Sequence, residues 1–517
     1  MGRTVAVSRM VLALWNFGVL ALGGCEAYDP DSVGGDDPRF DPVMAAVESE
    51  MARLGVSGAA VAIVEEGEVT FAKGFGTKQD EDDSPVMTAT LFRIGSITKM
   101  MTAVGLLQQV ESGAAALSDP VTDHLPSLSF ALDDTWAPSI ALDDLLTHSS
   151  GIVNYLETDA DPAYKSETGL SEFLLEAFPT WGYLMVPAGT FYNYSNIGYS
   201  YVGLVVETLG GKYYRTYMGE NVFGPLGMFR TYFAPEQVIA DDNYALGTST
   251  DVGGGVDIVG PSSYENPWGD PAGFAWSSVL DLGKFLKFLR SGNSAVLSDA
   301  LRNEMMSPKV NMKTLLDYQY YAYGLAISEG IFVGDDWYDM RVISHSGGIP
   351  GYTAHLYYIP ELDFGFIALA NRNNAPLSGV LPTALSTLCE LPTPAEAPGL
   401  ETTDEMLDSL IGHYVDPYRL GDVYIDRSGD DITVEIPLYD LYGIAYESTA
   451  LPVSPYNFVF LSEEGSTNVT FMFENDEDPH PRWIRTREMV AERIDDINDS
   501  DPIDDVVDDS TIEETTF

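Results

Sequence analysis

Between Ile97 and Leu107 the chain is apolar almost all the way round a helical wheel, and one lysine, Lys99, interrupts it. A helix without a polar face must be covered on every side, so the fold has to wrap further layers around this segment. The composition permits that, with 45% hydrophobic residues over 517 positions. A buried ammonium is costly without a partner, so a lysine placed there calls for a reason. Ser96 precedes Lys99 by three residues and shares its helical face. Partial positive charge at a helix start opposes a second cation and pushes Lys99 toward its free base. A neutral amine beside a hydroxyl can take the hydroxyl proton. Alone, the Ser-x-x-Lys spacing is a weak signal, and a lysine snorkelling from the edge of a core helix is the plain alternative.

Two further segments carry chemistry-bearing residues. Pro187–Tyr199 contains the triplet Tyr194-Ser195-Asn196 just ahead of another apolar helical run, Val202–Leu209. Tyrosine is common here, and Tyr264-Glu265-Asn266 repeats the pattern in a Pro/Gly loop, where it reads as a decoy. The third segment is His345-Ser346-Gly347-Gly348, where a strand ends in glycines that permit close backbone approach to a ligand. A lone strand-end histidine is more often structural than catalytic.

In this order the three segments resemble the serine beta-lactamase and penicillin-binding-protein superfamily. The nearest likeness is the branch of class C beta-lactamases, D-alanyl-D-alanine carboxypeptidases and related esterases. Flanking phrases agree, among them Leu145–Ile152, Phe223–Met228, Ala272–Leu282 and Phe366–Arg372, and the resemblance covers roughly residues 42–390. It implies an α+β fold, with an antiparallel sheet between helical layers and a large, mostly helical insertion. It also implies roles. Ser96 is the nucleophile, Lys99 its general base, and Tyr194 relays protons. Asn196 holds Lys99 or the substrate amide, and His345, Ser346 and Gly347 line the substrate. The N–H groups of Ser96 and Gly348 form the oxyanion hole.

His345 departs from the lysine that many members carry. It supplies positive charge only when protonated, a state that the acidic surroundings are expected to favour. This weakens a beta-lactamase reading and favours a peptidase or esterase. The leading reading is therefore an exported serine hydrolase, D-alanyl-D-alanine carboxypeptidase-like and penicillin-binding. A beta-lactamase or small-ester hydrolase is the alternative, and a catalytically silent surface binding protein is the non-enzyme one. The substrate would be a peptidoglycan-like peptide, a beta-lactam or an ester. His148 reads as a helix cap, and Arg93 and Arg372 read as structural ion-pair partners rather than substrate clamps, though Arg372 could do either. His124, His355, His413 and His480 share no metal-ligand spacing, and no metal or cofactor is called for.

Charge and cysteine count narrow the rest. Against 26 Lys and Arg stand 79 Asp and Glu, a formal net charge of −53, which repels phosphate backbones and argues against nucleic acid. Two cysteines, Cys25 and Cys389, rule out a disulfide framework. Arg3 and Arg9 precede an uncharged stretch from Met10 to Cys25, shorter than the ~20 residues of a spanning helix. This describes an export signal over 1–25, and its end, Leu22-Gly23-Gly24-Cys25, resembles a lipoprotein processing site. Cys25 would carry a lipid, anchor the protein at the cell envelope and leave Cys389 without a disulfide partner; an ordinary secretory signal and a secreted protein are the alternative. The expected order is then an acidic tether at 26–41, a hydrolase domain at 42–392, a Pro-rich linker and a β-rich, barrel-like domain at 400–493. A disordered acidic tail at 494–517 follows.

Overall fold

The computed structural model describes residues 32–79, 83–131, 134–154, 164–250, 255–263, 265–313, 318–399, 402–462, 465–475 and 477–494. Cys25, Tyr264 and the acidic tail beyond 494 lie outside these residues. Helix α1 (Asp41–Leu54) leads into a hairpin of β1 (Gly58–Glu65) and β2 (Glu68–Gly76). The central helices include α2 (Thr98–Glu111), α3 (Asn196–Gly210) and α4 (Val279–Ser291). Strands then return as β3 (Val310–Asn311), β4 (Gln319–Tyr321), β5 (Ala326–Ser328), β6 (Val342–Ile349), β7 (Tyr352–Ile359) and β8 (Phe364–Ala370), followed by helix α5 (Leu381–Leu388).

All eight strands join in one antiparallel sheet of order β2-β1-β8-β7-β6-β5-β4-β3. Strand β1 pairs with β8 from Ala59–Ala370 to Glu65–Phe364, so the first and last strands of the domain lie side by side, one strand in from an edge of the sheet. The unbroken apolar run of β1 has a simple cause: both faces of the sheet are covered. Ala60, Ala62 and Val64 face the core shared with α2 and α3, whereas Ala59, Val61 and Ile63 face the core shared with α1 and α5. Helix α2 is buried along most of its length, as its lack of a polar face requires.

After the linker and helix α6 (Asp404–Leu410), eight strands close into an antiparallel barrel. They are β9 (Gly412–Asp416), β10 (Gly421–Ser428), β11 (Asp431–Glu435), β12 (Thr449–Ser454), β13 (Asn457–Ser462), β14 (Gly465–Met472), β15 (Trp483–Arg485) and β16 (Val490–Arg493). Closure pairs β9 with β16 and leaves no free edge. Alternate residues point inward and make a separate core that includes Val423, Ile425, Ile432, Phe458 and Phe471. The barrel docks onto the first domain through aromatic contacts. The ring centroids of Phe191 and Trp483 are 5.5 Å apart, and those of Tyr183 and Tyr418 are 4.3 Å apart.

Candidate active site

Strand β6 passes directly over a 3-10 turn at Gly95–Ile97 that runs into α2. Gly95 has φ +51°, and a Cβ there would fall 2.8 Å from Gly347 C and Gly348 N, so only glycine lets the turn and the strand close together. That contact sets the backbone of Ser96 beside that of Gly348 and leaves the Ser96 side chain half-buried.

Lys99 is fully buried, with its Nζ 3.1 Å from Ser96 Oγ. The same nitrogen donates to Asn196 Oδ1 at 2.7 Å and to the Ala272 carbonyl at 2.5 Å. Burial pulls the ammonium well below the ordinary lysine range, and the charge of Arg487 adds to this. The direction matches the expectation, but desolvation is the main cause. As a free base, Lys99 has two N–H bonds and one lone pair. The two carbonyl oxygens accept the N–H bonds, and the lone pair is left for the serine.

Asn196 is placed by local chemistry. Ser195 caps α3, its Oγ accepting from Gly198 N at 3.1 Å, and the Asn196 N–H donates to Asn154 Oδ1 at 3.0 Å. Tyr194 sits just outside the cap, its hydroxyl hydrogen-bonded to Ser96 and its ring centroid 4.8 Å from Lys99 Nζ. Burial pushes the phenol up to about 12, so it stays protonated and can donate.

His345 corrects the sequence reading. It is buried, and its Nδ1 lies 2.6 Å from the Ser346 carbonyl, which can only accept. Its Nε2 therefore accepts from the Tyr321 hydroxyl at 2.9 Å. Burial lowers the imidazole to about 3, with Lys99 adding to the shift. The acidic charge of the chain lies elsewhere, and local desolvation wins, so at neutral pH His345 is an uncharged link rather than a carboxylate clamp. Ser346 and Gly348 face solvent on the same strand.

His148 does more than cap. Its φ of +59° ends the short helix Leu142–Leu146 in left-handed backbone, as a cap requires. Its carbonyl also accepts from Asn193 N at 2.6 Å, and its Nδ1 accepts from Ser195 N at 3.1 Å. Both chain neighbours of Tyr194 are thus held by one residue, whose ring lies 4.1 Å from that of Tyr194. Burial keeps the imidazole neutral.

Sequence reasoning missed Arg487, in the β15–β16 turn of the barrel. Its guanidinium lies 4.5 Å over the Tyr194 ring. A signal existed in the scarcity of cations, but nothing in the chain ties position 487 to position 194. Arg93 donates to the carbonyls of Pro261 (3.1 Å), Ser263 and Phe274 (3.4 Å) behind the nucleophile. Arg372 donates to the Gly55 carbonyl (3.1 Å) and Thr250 Oγ1 (3.4 Å), so backbone and hydroxyl acceptors take the place expected for an ion pair. Among the described residues, no cluster of His, Cys, Asp and Glu could hold a metal.

A family model described as Beta-lactamase matches residues 43–385. The chain belongs to the beta-lactamase family. Beta-lactamase-like protein 4 of Dictyostelium discoideum is 27% identical over 374 residues, covering 66% of this chain and 62% of that protein, so the chain spans less than two thirds of that relative's length. The octameric penicillin-binding protein homologue from Pyrococcus abyssi superposes with a TM-score of 0.57 at 24% identity, over 87% of this chain and 99% of that one. The D-amino acid amidase from Ochrobactrum anthropi SV3 does so with a TM-score of 0.54 at 21% identity, over 68% of this chain and 99% of that one. At such identities the solved structures carry the fold alone. Beta-lactamase-fold enzymes of this family are serine hydrolases, and the fold described above is theirs.

Proposed function

We propose that the protein is an exported serine hydrolase that cleaves amide or ester bonds through an acyl-enzyme on Ser96, with D-alanyl-D-alanine carboxypeptidase-like action as its leading activity. One observation carries this reading: the Lys99 amine, 3.1 Å from Ser96 Oγ, has both N–H bonds engaged by Asn196 Oδ1 and the Ala272 carbonyl. The Ser96 hydroxyl donates to the remaining lone pair, and its oxygen attacks the substrate carbonyl as Lys99 takes the proton. The Ser96 and Gly348 N–H groups stabilise the oxyanion that develops. Tyr194 gives its proton to the leaving nitrogen or oxygen and is reprotonated by Lys99, which leaves the acyl group on Ser96 and the amine neutral. Water then repeats the sequence on the ester, and His148 keeps Tyr194 in place throughout. Export is supported by the basic start and uncharged stretch before Cys25, and lipidation of Cys25 would hold the enzyme at the envelope.

A small-ester hydrolase is the second reading, favoured by the neutral state of His345, which offers no cation at the usual carboxylate position. A fluorescent penicillin should label the full chain and fail to label Ser96→Ala. Parallel turnover of a D-alanyl-D-alanine peptide, a chromogenic cephalosporin and a nitrophenyl ester then ranks the activities. Absence of both labelling and turnover overturns the enzyme reading in favour of a silent binding protein.

A further inference from the structure

The barrel encloses a cavity of about 550 Å³ that reaches Tyr194 of the first domain. Its wall is mostly apolar, with Val423, Ile425, Ile432, Phe460, Ile484 and Met489 among the lining residues, and it carries polar groups at Asn468 and Thr470. Tyr192 and Tyr194 of the first domain line it too, so its mouth is one side chain away from Ser96. An eight-stranded barrel can hold one small ligand, and this volume falls within the roughly 300–1,000 Å³ of small-molecule sites.

Two arginines on the β15–β16 hairpin line the same cavity. Arg485 is 4% exposed and donates to the carbonyls of Tyr192 and Met312 (3.0 Å) and to Thr470 Oγ1 (3.3 Å). These acceptors are uncharged. Among the described residues no carboxylate pairs with its guanidinium, and burial lowers it to about 10. Arg487, exposed over Tyr194, likewise has no carboxylate partner among the described residues; the neighbouring Glu488 also lines the cavity, but its carboxylate lies 3.8 Å from Arg419. In a chain with 79 acidic residues against 26 basic ones, two cations without acidic partners beside an apolar cavity mark a place for an anion.

We propose that the barrel lumen is a substrate subsite for an anionic amphiphile, its apolar tail in the lumen and its anionic group against Arg487. The proposal deepens the hydrolase reading and rests on it for the word substrate. It also moves the carboxylate contact from His345 to a residue of the other domain.

Binding to full-length Ser96→Ala, followed by titration calorimetry with octanoate, octanol and acetate, tests the subsite without catalysis. Octanoate should bind at least tenfold more tightly than octanol and than acetate. Arg487→Gln, a change at an exposed position, should weaken octanoate about tenfold and leave octanol unchanged. Ala450→Trp, which fills the lumen, should abolish binding of both. Equal binding of acetate and octanoate, or octanoate binding indifferent to Arg487→Gln, overturns the proposal even if the filled variant fails to fold. If small esters are hydrolysed but octanoate does not bind, the subsite alone fails. If octanoate binds as described but nothing is hydrolysed, the lumen stands and the hydrolase reading fails.

Discussion

Substituting Asn196 by Asp places a carboxylate where an amide oxygen now lies 2.7 Å from Lys99 Nζ, with little change in volume. At that distance, with an effective dielectric constant of ~20, the attraction of a full charge pair is about 6 kcal/mol. Desolvating the new carboxylate offsets much of it, and a single opposite charge at close range typically moves a titration by about one to three pH units. Lys99 owes its low proton affinity chiefly to burial, so the added anion opposes that effect and favours the ammonium. The base is then protonated until higher pH. Acylation by a nitrophenyl ester, followed as the burst in stopped flow, should show its acid limb displaced upward by about one to three units, with the plateau largely kept. The charge-neutral Asn196→Ala should leave the limb near its original pH and lower the plateau, because the amine loses an acceptor. An Asn196→Asp profile whose acid limb coincides with that of the parent would refute Lys99 as the base.

Three further outcomes follow from the same geometry. Tyr194→Phe removes a donor held protonated by a pKa of about 12, and kcat should fall by about 10²–10⁴ while penicillin labelling persists. His148→Asn keeps a residue tolerant of left-handed backbone but removes the ring beneath Tyr194. Its melting temperature should stay close to the parent's while kcat drops at least tenfold, and unchanged kcat would deny His148 a positioning role. His345 titrates near 3 when folded and near 6.5 when unfolded, so the unfolded chain binds the extra proton between these values. Stability should therefore fall as pH drops through that window, by about 5 kcal/mol at the limit, and urea unfolding of His345→Gln should show a shallower pH dependence.

The candidate pairs were legible as neighbours because each is local. Ser96 and Lys99 are one helical turn apart, and Tyr194 and Asn196 flank a serine cap, so spacing alone fixes their neighbourhood. Gly347 was legible because close backbone approach demands glycine, a Cβ there falling 1.9 Å from the Ile94 carbonyl oxygen, whereas a Cβ at Gly348 would meet nothing within 4 Å. The charge state of His345 was not legible, since it depends on Tyr321 from another strand and on burial between elements far apart in the chain. His148 showed its backbone role in the pattern of a helix end, whereas its contact with Tyr194 appears only after the loop folds over.

The amino-acid order by itself determined a buried helix carrying one lysine, a sheet built from both ends of a domain, and a separate β-rich unit, because hydrophobic periodicity and turn chemistry act over a few residues. Only the tertiary structure decided that the barrel's β15–β16 hairpin would bring Arg485 to the Tyr192 carbonyl and Arg487 over Tyr194, nearly three hundred positions away in the chain. Such a meeting depends on how the barrel packs on the first domain, where Met472, Trp483 and Val490 join that domain's core, and docking is settled by the shape and charge of assembled surfaces that no local stretch of sequence contains.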